Sequence, residues 1–166
     1  MNGEQNNAGV KEQAYKDTEI VQLVSFTLGE EEYGIDILKV QEINRMMEIT
    51  HVPKCAYFVE GVVNLRGKVI PVLDLRKRFG LEPKNTKETR IIVVDIDGRT
   101  VGLIVDSVSE VLRLPRETID PTPPMISTSI DAQCIKGVGK LEDRLIIIID
   151  IERFLTEEEK NMLGNF

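Results

Sequence analysis

Short apolar segments, separated by glycine-containing or charged turns, follow one another along most of the chain. Residues 20–28 and 90–97 have the alternating or continuous apolar character of half-buried and buried strands. Residues 42–50 and 100–111 are similar, and residues 146–149 predict a strand that is apolar on both faces. Because such segments recur with few helical patterns between them, the sequence predicts a mainly β protein.

Helical patterns are short. Asp36 precedes the apolar residues of segment 37–40, and its carboxylate is suited to accept the first N–H groups of a short helix. Residues 76–80 predict one helical turn that is closed by its final glycine. Thr156 is followed three residues later by Glu159, which is the pattern of a capping box. This pattern predicts a helix at the C-terminus.

The segment GVVNLRGKVIPVLDL, Gly61–Leu75, predicts a β-hairpin. Two apolar runs flank Asn64-Leu65-Arg66-Gly67, and the glycine is free to adopt the positive φ that a tight turn requires. Arginine is an unusual residue at such a tip, where Asn or Asp would turn more easily. Turn formation alone therefore does not explain why the residue at this tip is an arginine.

The second half of the chain repeats the first. Identical residues recur at two offsets. A shift of 68 positions places Gly34 on Gly102 and Glu42 on Glu110. A shift of 76 positions places Gly61 on Gly137 and Asp74 on Asp150. Matches at nearly fixed offsets indicate a repeated structural unit, with an insertion at the Pro-rich loop 120–125. Arg66 falls on Glu142, so the hairpin itself does not require a cation.

The repeat predicts two lobes of about five short strands each, near residues 20–84 and 88–155. Closing each lobe as a barrel or sandwich removes exposed strand edges. The strand faces that do not point into a lobe's own core are then free to pack the two lobes against each other. An N-terminal strand can also cross over to complete the second barrel. A single sandwich, with 146–149 as its deeply buried strand, is the alternative. Residues 1–18 are predicted to form a disordered tail, and residues 156–166 a C-terminal helix and tail.

Composition narrows the possible functions. A net charge of −7 disfavours binding to nucleic acid, which depends on basic patches. No apolar run approaches the ~20 residues that span a bilayer, and the polar N-terminus lacks the apolar stretch of a signal peptide. Cys55 and Cys134 lie 79 residues apart without metal-ligand spacing. They predict two reduced thiols in a cytoplasmic protein.

Candidate chemistry is sparse. His51 is the only histidine, and no Cys or Asp constellation accompanies it in the sequence. The segment 137–139 lacks the third glycine of a phosphate-binding loop. Asp95, Asp97 and Asp106 are candidates to flank a site, but alternating aspartates of a hairpin more often face solvent. We therefore predict a protein that is not an enzyme and that binds no metal or cofactor.

Three segments resemble the signatures of one family: LGEEEYGIDILKVQEI (Leu28–Ile43), GVVNLRGKVIPVLDLRKRFG (Gly61–Gly80) and VGLIVDSVSEV (Val101–Val111). The resemblance is to the CheW family of bacterial chemotaxis and extends over residues 19–155. It implies two SH3-like five-stranded β-barrel lobes. It also implies an adaptor at receptor arrays that couples the cytoplasmic tips of transmembrane chemoreceptors to the histidine kinase CheA, whose own CheW-like domain can pair with it.

The resemblance also implies contact residues. The receptor-binding candidates are Val40, Glu42, Gly61, Asn64, Leu65 and Arg66. The competing structural interpretation makes Val40 a core residue, Glu42 a strand-edge charge and Arg66 a solvated turn residue.

For the kinase, the hairpin 97–105 carries Val101 and Leu103 on one side, and a side that is exposed is a candidate for apolar pairing with CheA. The alternative is that both sides of the hairpin are buried. For the whole protein, the competing function is a small ligand-binding or catalytic β-barrel. A deep apolar pocket with convergent titratable groups would favour that function.

Overall fold

Two β-sheets make up the protein. A computed structural model describes residues 19–53, 56–121 and 131–163. The six-stranded sheet contains, from edge to edge, β8 (Ser107–Pro115), β1 (Ile20–Leu28), β2 (Glu31–Asp36), β11 (Arg144–Ile149), β10 (Ile135–Leu141) and β9 (Ile119–Asp120). The five-stranded sheet contains β3 (Val40–Arg45), β6 (Arg90–Ile96), β7 (Arg99–Val105), β5 (Lys68–Asp74) and β4 (Val59–Leu65). The prediction of a mainly β fold is confirmed. The predicted tail 1–18, most of the loop 120–125 and Cys55 lie outside the described residues.

Helices in the described part of the chain are short. The α-helices are α1 (Leu75–Arg78) and α2 (Glu157–Leu163), and the 3-10 helices are Ile37–Lys39, Arg116–Thr118, Asp131–Cys134 and Ile151–Arg153. The Leu38 N–H donates to the Asp36 carboxylate at 2.9 Å, so the predicted cap is confirmed. At α2, the Thr156 N–H donates to the Glu159 carboxylate at 2.9 Å, and the Glu159 N–H donates to the Thr156 hydroxyl at 3.1 Å. This is the predicted capping box.

Both sheets follow the same plan, which confirms the internal duplication. Replacing β3, β6, β7, β5 and β4 by their repeat counterparts gives β8, β1, β2, β11 and β10, the order of the six-stranded sheet. The two parallel strand pairs, β5 with β7 and β11 with β2, share one register. Gly102 lies beside Val72 in one pair, and Gly34 lies beside Ile148 in the other.

Local irregularities also recur at matching positions. Bulges follow Val40 in β3, Val108 in β8, Val59 in β4 and Ile135 in β10. Asp74 and Asp150 each cap the helix that follows, with backbone φ of −94° and −93°. The predicted equivalence of these two aspartates is therefore confirmed.

The two halves exchange their first two strands, so the sheets do not follow the predicted lobe boundaries. β1 and β2 come from the first half but pair with β8 and β11 of the second, and β6 and β7 make the reverse crossing. The chain crosses from the six-stranded to the five-stranded sheet at the 3-10 helix 37–39, between β2 and β3, and returns at Asp106, between β7 and β8. Each sheet therefore combines strands from both halves of the chain. The sequence predicted at most the crossing of one strand.

The outer faces of the two sheets pack against each other and form the largest apolar core, called here the inter-sheet core. Its strand residues include Val24, Phe26, Leu28, Ile35 and Ile149 from the six-stranded sheet and Leu73, Ile92, Val94, Val101 and Leu103 from the other. Each sheet also has an inner core, Val63, Ile70, Val72, Ile91, Val93 and Ile104 in one and Leu23, Leu114 and Ile148 in the other. Since Ile148 and Ile149 serve different cores, β11 is apolar on both faces, as predicted.

The hairpin formed by β6 and β7 is buried on both sides. Val101 and Leu103 belong to the inter-sheet core, and Gly102 and Ile104 are buried on the opposite side. This burial arises because β7 lies in the middle of its sheet, between β6 and β5. Val101 and Leu103 are therefore not exposed, and the condition for a kinase contact at these residues is not met.

Two predicted strands have different boundaries in the structure. The strand predicted over 42–50 ends at Arg45, and Thr50 forms only a single bridge with Val62. The strand predicted over 100–111 is divided at Asp106 into β7 and β8. The chain changes sheets at that aspartate, whose carboxylate accepts the Gly29 N–H at 2.7 Å.

Candidate functional site

The hairpin tip between β4 and β5 has two residues with positive φ. Arg66 and Gly67 have φ of 51° and 83°, the signs expected of the mirror-image turns that suit hairpins. The Gly67 N–H donates to the side-chain carbonyl of Asn64 at 2.9 Å, which braces the turn. The positive φ predicted for Gly67 is confirmed, and Arg66 shares it. At the equivalent tip Glu142 has φ 53°, so the same backbone accommodates the opposite charge.

Arg66 forms an ion pair with Glu42 of β3. The distance from Nη2 of Arg66 to Oε2 of Glu42 is 2.6 Å, although the Arg66 side chain is 73% exposed. The side-chain amide of Asn44 donates to the other carboxylate oxygen of Glu42 at 2.7 Å. The hydrogen bond from the Asn44 amide and, to a smaller extent, the contact with Arg66 hold the pKa of Glu42 below its usual range. The structure thus unites two residues that the sequence treated separately.

Three other receptor candidates occupy more enclosed positions. Val40 is half-buried against the inter-sheet core, and Leu65 is half-buried against the inner core of its sheet. Gly61 is buried at a φ of 147°, and a Cβ atom there would lie 2.0 Å from the carbonyl oxygen of Thr50. The surface that these six candidates offer therefore consists mainly of Asn64 and Arg66, with Glu42 partly exposed. These three residues are called here the tip surface.

The structure exposes apolar side chains that the sequence did not single out as contacts. Leu38 is 87% exposed, and Ile43 and Val69 are also exposed. Ile43 follows Glu42 on β3, and Val69 pairs with Asn64 across the hairpin, so both adjoin members of the tip surface. Their repeat counterparts, Val111 and Leu145, are exposed as well. The shared offset is the signal in the sequence that could have identified these positions.

Titratable side chains line a cleft of about 320 Å³, among them His51, Glu60, Asp74, Arg76 and Lys77. These groups bond to one another or to the backbone: Nδ1–H of His51 donates to the carbonyl of Glu60 at 2.9 Å, and Arg76 pairs with Asp74 at 3.0 Å. Within the described ranges, no group of three His, Cys, Asp or Glu side chains is placed to hold a metal ion. Cys134 is buried in the inter-sheet core. None of the helices in this part of the chain is long and apolar enough to span a bilayer.

The architecture defines a class of protein: a duplicated β protein with exchanged strands and an exposed charged hairpin tip. The family model for the CheW-like domain matches residues 22–159. The chain belongs to this family, whose members include chemotaxis proteins and a scaffolding protein.

Individual relatives are similar to this chain over most of their length. The chain is 43% identical over 141 residues to the chemotaxis protein CheW of Klebsiella aerogenes, covering 84% of each chain. It is 37% identical to chemotaxis protein CheW of Helicobacter pylori, covering 92% of this chain and 90% of that one. The crystal structure of the scaffolding protein TtCheW from Thermoanaerobacter tengcongensis superposes with a TM-score of 0.78 at 44% identity, covering 86% and 97% of the two chains.

Proposed function

We propose that the chain is a non-enzymatic adaptor of bacterial chemotaxis that binds chemoreceptors and the histidine kinase CheA at the same time. One surface takes the helical cytoplasmic tip of the receptor, and another takes the CheW-like domain of CheA. Membership of the CheW family supports this, since relatives are named chemotaxis proteins and one is named a scaffolding protein. The proposal places the chain in the cytoplasm, at receptor arrays.

The observation that carries the proposal is the placement of Arg66. A non-glycine residue in the left-handed conformation costs about 1–2 kcal/mol, and an exposed ion pair such as that of Arg66 with Glu42 offsets little of this cost. Glu142 adopts the same conformation at the equivalent tip, so the fold of the free protein does not require an arginine at this position. The guanidinium of Arg66 pairs with Glu42 at a turn that Asn64 braces, and the Arg66 side chain remains 73% exposed. A planar donor group in that position is suited to pair with a carboxylate on a receptor helix.

The test is receptor binding by Arg66→Glu. We expect its affinity for a receptor cytoplasmic-tip fragment to fall by about 1–3 kcal/mol, because a charge-assisted pair is lost and repulsion is introduced. Affinity for the CheW-like domain of CheA should stay unchanged. Isothermal titration of both partners at low salt measures the two effects. Unchanged receptor affinity in a folded Arg66→Glu protein would contradict the assignment.

Two control variants separate the receptor contact from the internal ion pair. Glu142→Arg changes the charge at the equivalent tip of the other sheet and should leave receptor affinity unchanged. The double variant Glu42→Arg/Arg66→Glu keeps an internal pair of opposite charges but presents the wrong sign at the tip. We expect it to bind receptor as weakly as Arg66→Glu. Recovery of full affinity by the double variant would show that Arg66 acts only through Glu42.

The competing function, a small ligand-binding or catalytic barrel, has less support. One apolar cleft has a volume of about 240 Å³ and is lined by apolar residues of β1, β9 and β11 with three charged residues, Asp36, Arg116 and Lys136. Lys136 is exposed, and the guanidinium of Arg116 pairs with Glu19, which is also exposed, at 3.0 Å. Because these basic side chains are exposed, the cleft lacks the enclosed, convergent arrangement of a ligand pocket.

A further inference from the structure

Each pair of parallel strands ends in a charged contact that also reaches the other sheet. The first contact, called here clamp one, joins Arg76 at the end of β5 to Asp106 at the end of β7, with Nη1 of Arg76 3.3 Å from Oδ1 of Asp106. The second carboxylate oxygen of Asp106 accepts the Gly29 N–H at 2.7 Å, in the turn between β1 and β2. Arg76 is buried and is also held by Asp74, with two contacts of 3.0 Å. Clamp one therefore connects both halves of the chain and both sheets.

The second contact, clamp two, has the same plan at the other pair of parallel strands. Glu152 follows β11, and Nζ of Lys39, which follows β2, lies 2.8 Å from its carboxylate. The other carboxylate oxygen of Glu152 accepts the Asp97 N–H at 3.1 Å, in the turn between β6 and β7. Gly29 and Asp97 are repeat counterparts at the shift of 68 positions.

The two clamps have opposite polarity. The shift of 76 positions places Arg76 on Glu152, so the strand β5 ends in a cation where β11 ends in an anion. Asp106 corresponds to position 38 at the shift of 68, and the cation Lys39 stands immediately beside it. The partner strands β7 and β2 therefore end in an anion and a cation, respectively. Each clamp joins unlike charges because its two members come from different halves.

We propose that these inverted clamps select the exchanged arrangement of the two halves. If each half kept its own hairpin, β2 would lie beside β5 and β7 beside β11. Lys39 would then meet Arg76, and Asp106 would meet Glu152. The exchanged fold places unlike charges together at both strand ends, and the unexchanged fold would place like charges together at both. Charges that penalise an alternative pairing give specificity beyond the strength of the correct contacts.

The contact between a β-branched residue and a glycine in each parallel pair does not make this distinction. Val72 lies beside Gly102 in one pair, and Ile148 lies beside Gly34 in the other. Exchanging the partners would again place a β-branched residue beside a glycine, in the same register. Because this contact fits both arrangements, the charged residues at the strand ends provide a selection that it does not.

The test reverses clamp two in the full-length chain. Lys39→Glu/Glu152→Lys keeps unlike charges in the exchanged fold, but it makes both contacts of the unexchanged fold attractive. We expect the native fold to persist, while refolding after a brief unfolding pulse gains a slow phase with about a tenth or more of the amplitude, as expected of a misassembled trap. The pulse is kept short so that proline isomerisation does not contribute. Stopped-flow circular dichroism measures the amplitudes.

Two further variants complete the experiment. Lys39→Met/Glu152→Gln removes both repulsions without adding attractions and retains an oxygen for the Asp97 N–H, so we expect a smaller slow phase. Asp120→Lys/Lys140→Asp reverses an exposed pair, 2.8 Å apart, that lies within the second half and is the same in both arrangements. This control should refold as the wild type does. Wild-type refolding by the neutral variant, or a slow phase in the control as large as in the reversed variant, would overturn the proposal. If Lys39→Glu/Glu152→Lys does not fold, the refolding of Lys39→Met/Glu152→Gln alone tests the proposal.

Discussion

Tyr33 packs between two other aromatic rings beside the inter-sheet core. The centroid of its ring lies 5.8 Å from that of Phe26 and 5.7 Å from that of Phe79, and both pairs are stacked. Burial raises the pKa of Tyr33 above its ordinary value of 10.0, and the carboxylate of Glu31 adds to the rise. Because the folded pKa exceeds the unfolded one, this contribution to stability is complete below pH 10.0 and is lost as pH rises through the folded pKa.

We predict that Tyr33→Phe reduces the loss of stability at alkaline pH. Phenylalanine can keep the ring contacts but has no proton to lose, so the denaturant midpoint should fall less than that of the wild type between about pH 9 and 11.5. The control is Tyr57→Phe, at an exposed tyrosine outside the core. Chemical denaturation across this pH range measures the difference. Parallel pH profiles for Tyr33→Phe and the wild type would contradict the prediction.

Single residues differ in how much of their role the sequence reveals. The positive φ of Gly67 follows from local turn chemistry, which a short segment contains. The partner of Arg66 does not, because Glu42 lies on a strand whose position beside the hairpin tip depends on the fold of the whole sheet. Val40 is half-buried at the margin of the inter-sheet core. Its position therefore fits neither a fully buried core residue nor a fully exposed receptor contact, the two interpretations that the sequence offered.

On the scale of strands and turns, the approach of the segment before residue 51 to β4 depends on Gly61. The Thr50 N–H donates to the Val62 carbonyl and the Val62 N–H donates to the Thr50 carbonyl, both at 2.9 Å. A side chain at Gly61 would collide with the same Thr50 carbonyl. The glycine therefore permits a backbone contact that anchors the otherwise irregular segment after β3.

We predict that Gly61→Ala destabilises the protein by about 3 kcal/mol or more, because it adds a backbone collision to an unfavourable φ. The control is Gly67→Ala, where φ is also positive but nothing lies within 4 Å of the added atom. That change should cost about 1–2 kcal/mol. Denaturant unfolding of both variants gives the comparison. Equal losses would show that the contact with Thr50 adds nothing, and that Gly61 matters only for its backbone angle.

Strand identity was predictable from the sequence, whereas strand partnership was not. β1 and β6 follow directly from apolar patterns, and the offsets of the repeat correctly anticipate the shared register. The exchange of hairpins was missed because the repeated strands are chemically alike, so the hydrophobic pattern is satisfied by either half. Asp106 was assigned to the middle of a strand because its contacts with Gly29 and Arg76 join distant parts of the chain.

At the scale of the whole molecule, the inter-sheet core makes the two sheets one folding unit. Each sheet contains strands from both halves, and the largest cluster of buried apolar side chains lies between the sheets. The inner core of the six-stranded sheet has only three buried residues among those described, Leu23, Leu114 and Ile148. Such a sheet has little apolar surface of its own to offset the entropy of ordering its strands. We therefore expect neither sheet to remain folded without the other.

Leu103→Ala tests this expectation at the centre of the inter-sheet core. Leu103 is buried between Leu73 and Ile92 on the neighbouring strands, so truncation leaves a cavity and should lower the free energy of unfolding by about 2–5 kcal/mol. Leu145→Ala, at a side chain that is 61% exposed, is the matched control and should change stability by about 0.5 kcal/mol or less. Native-state hydrogen exchange should show slow amides of both sheets losing protection together in Leu103→Ala. Loss confined to β6, β7 and their sheet would mean that the sheets unfold separately.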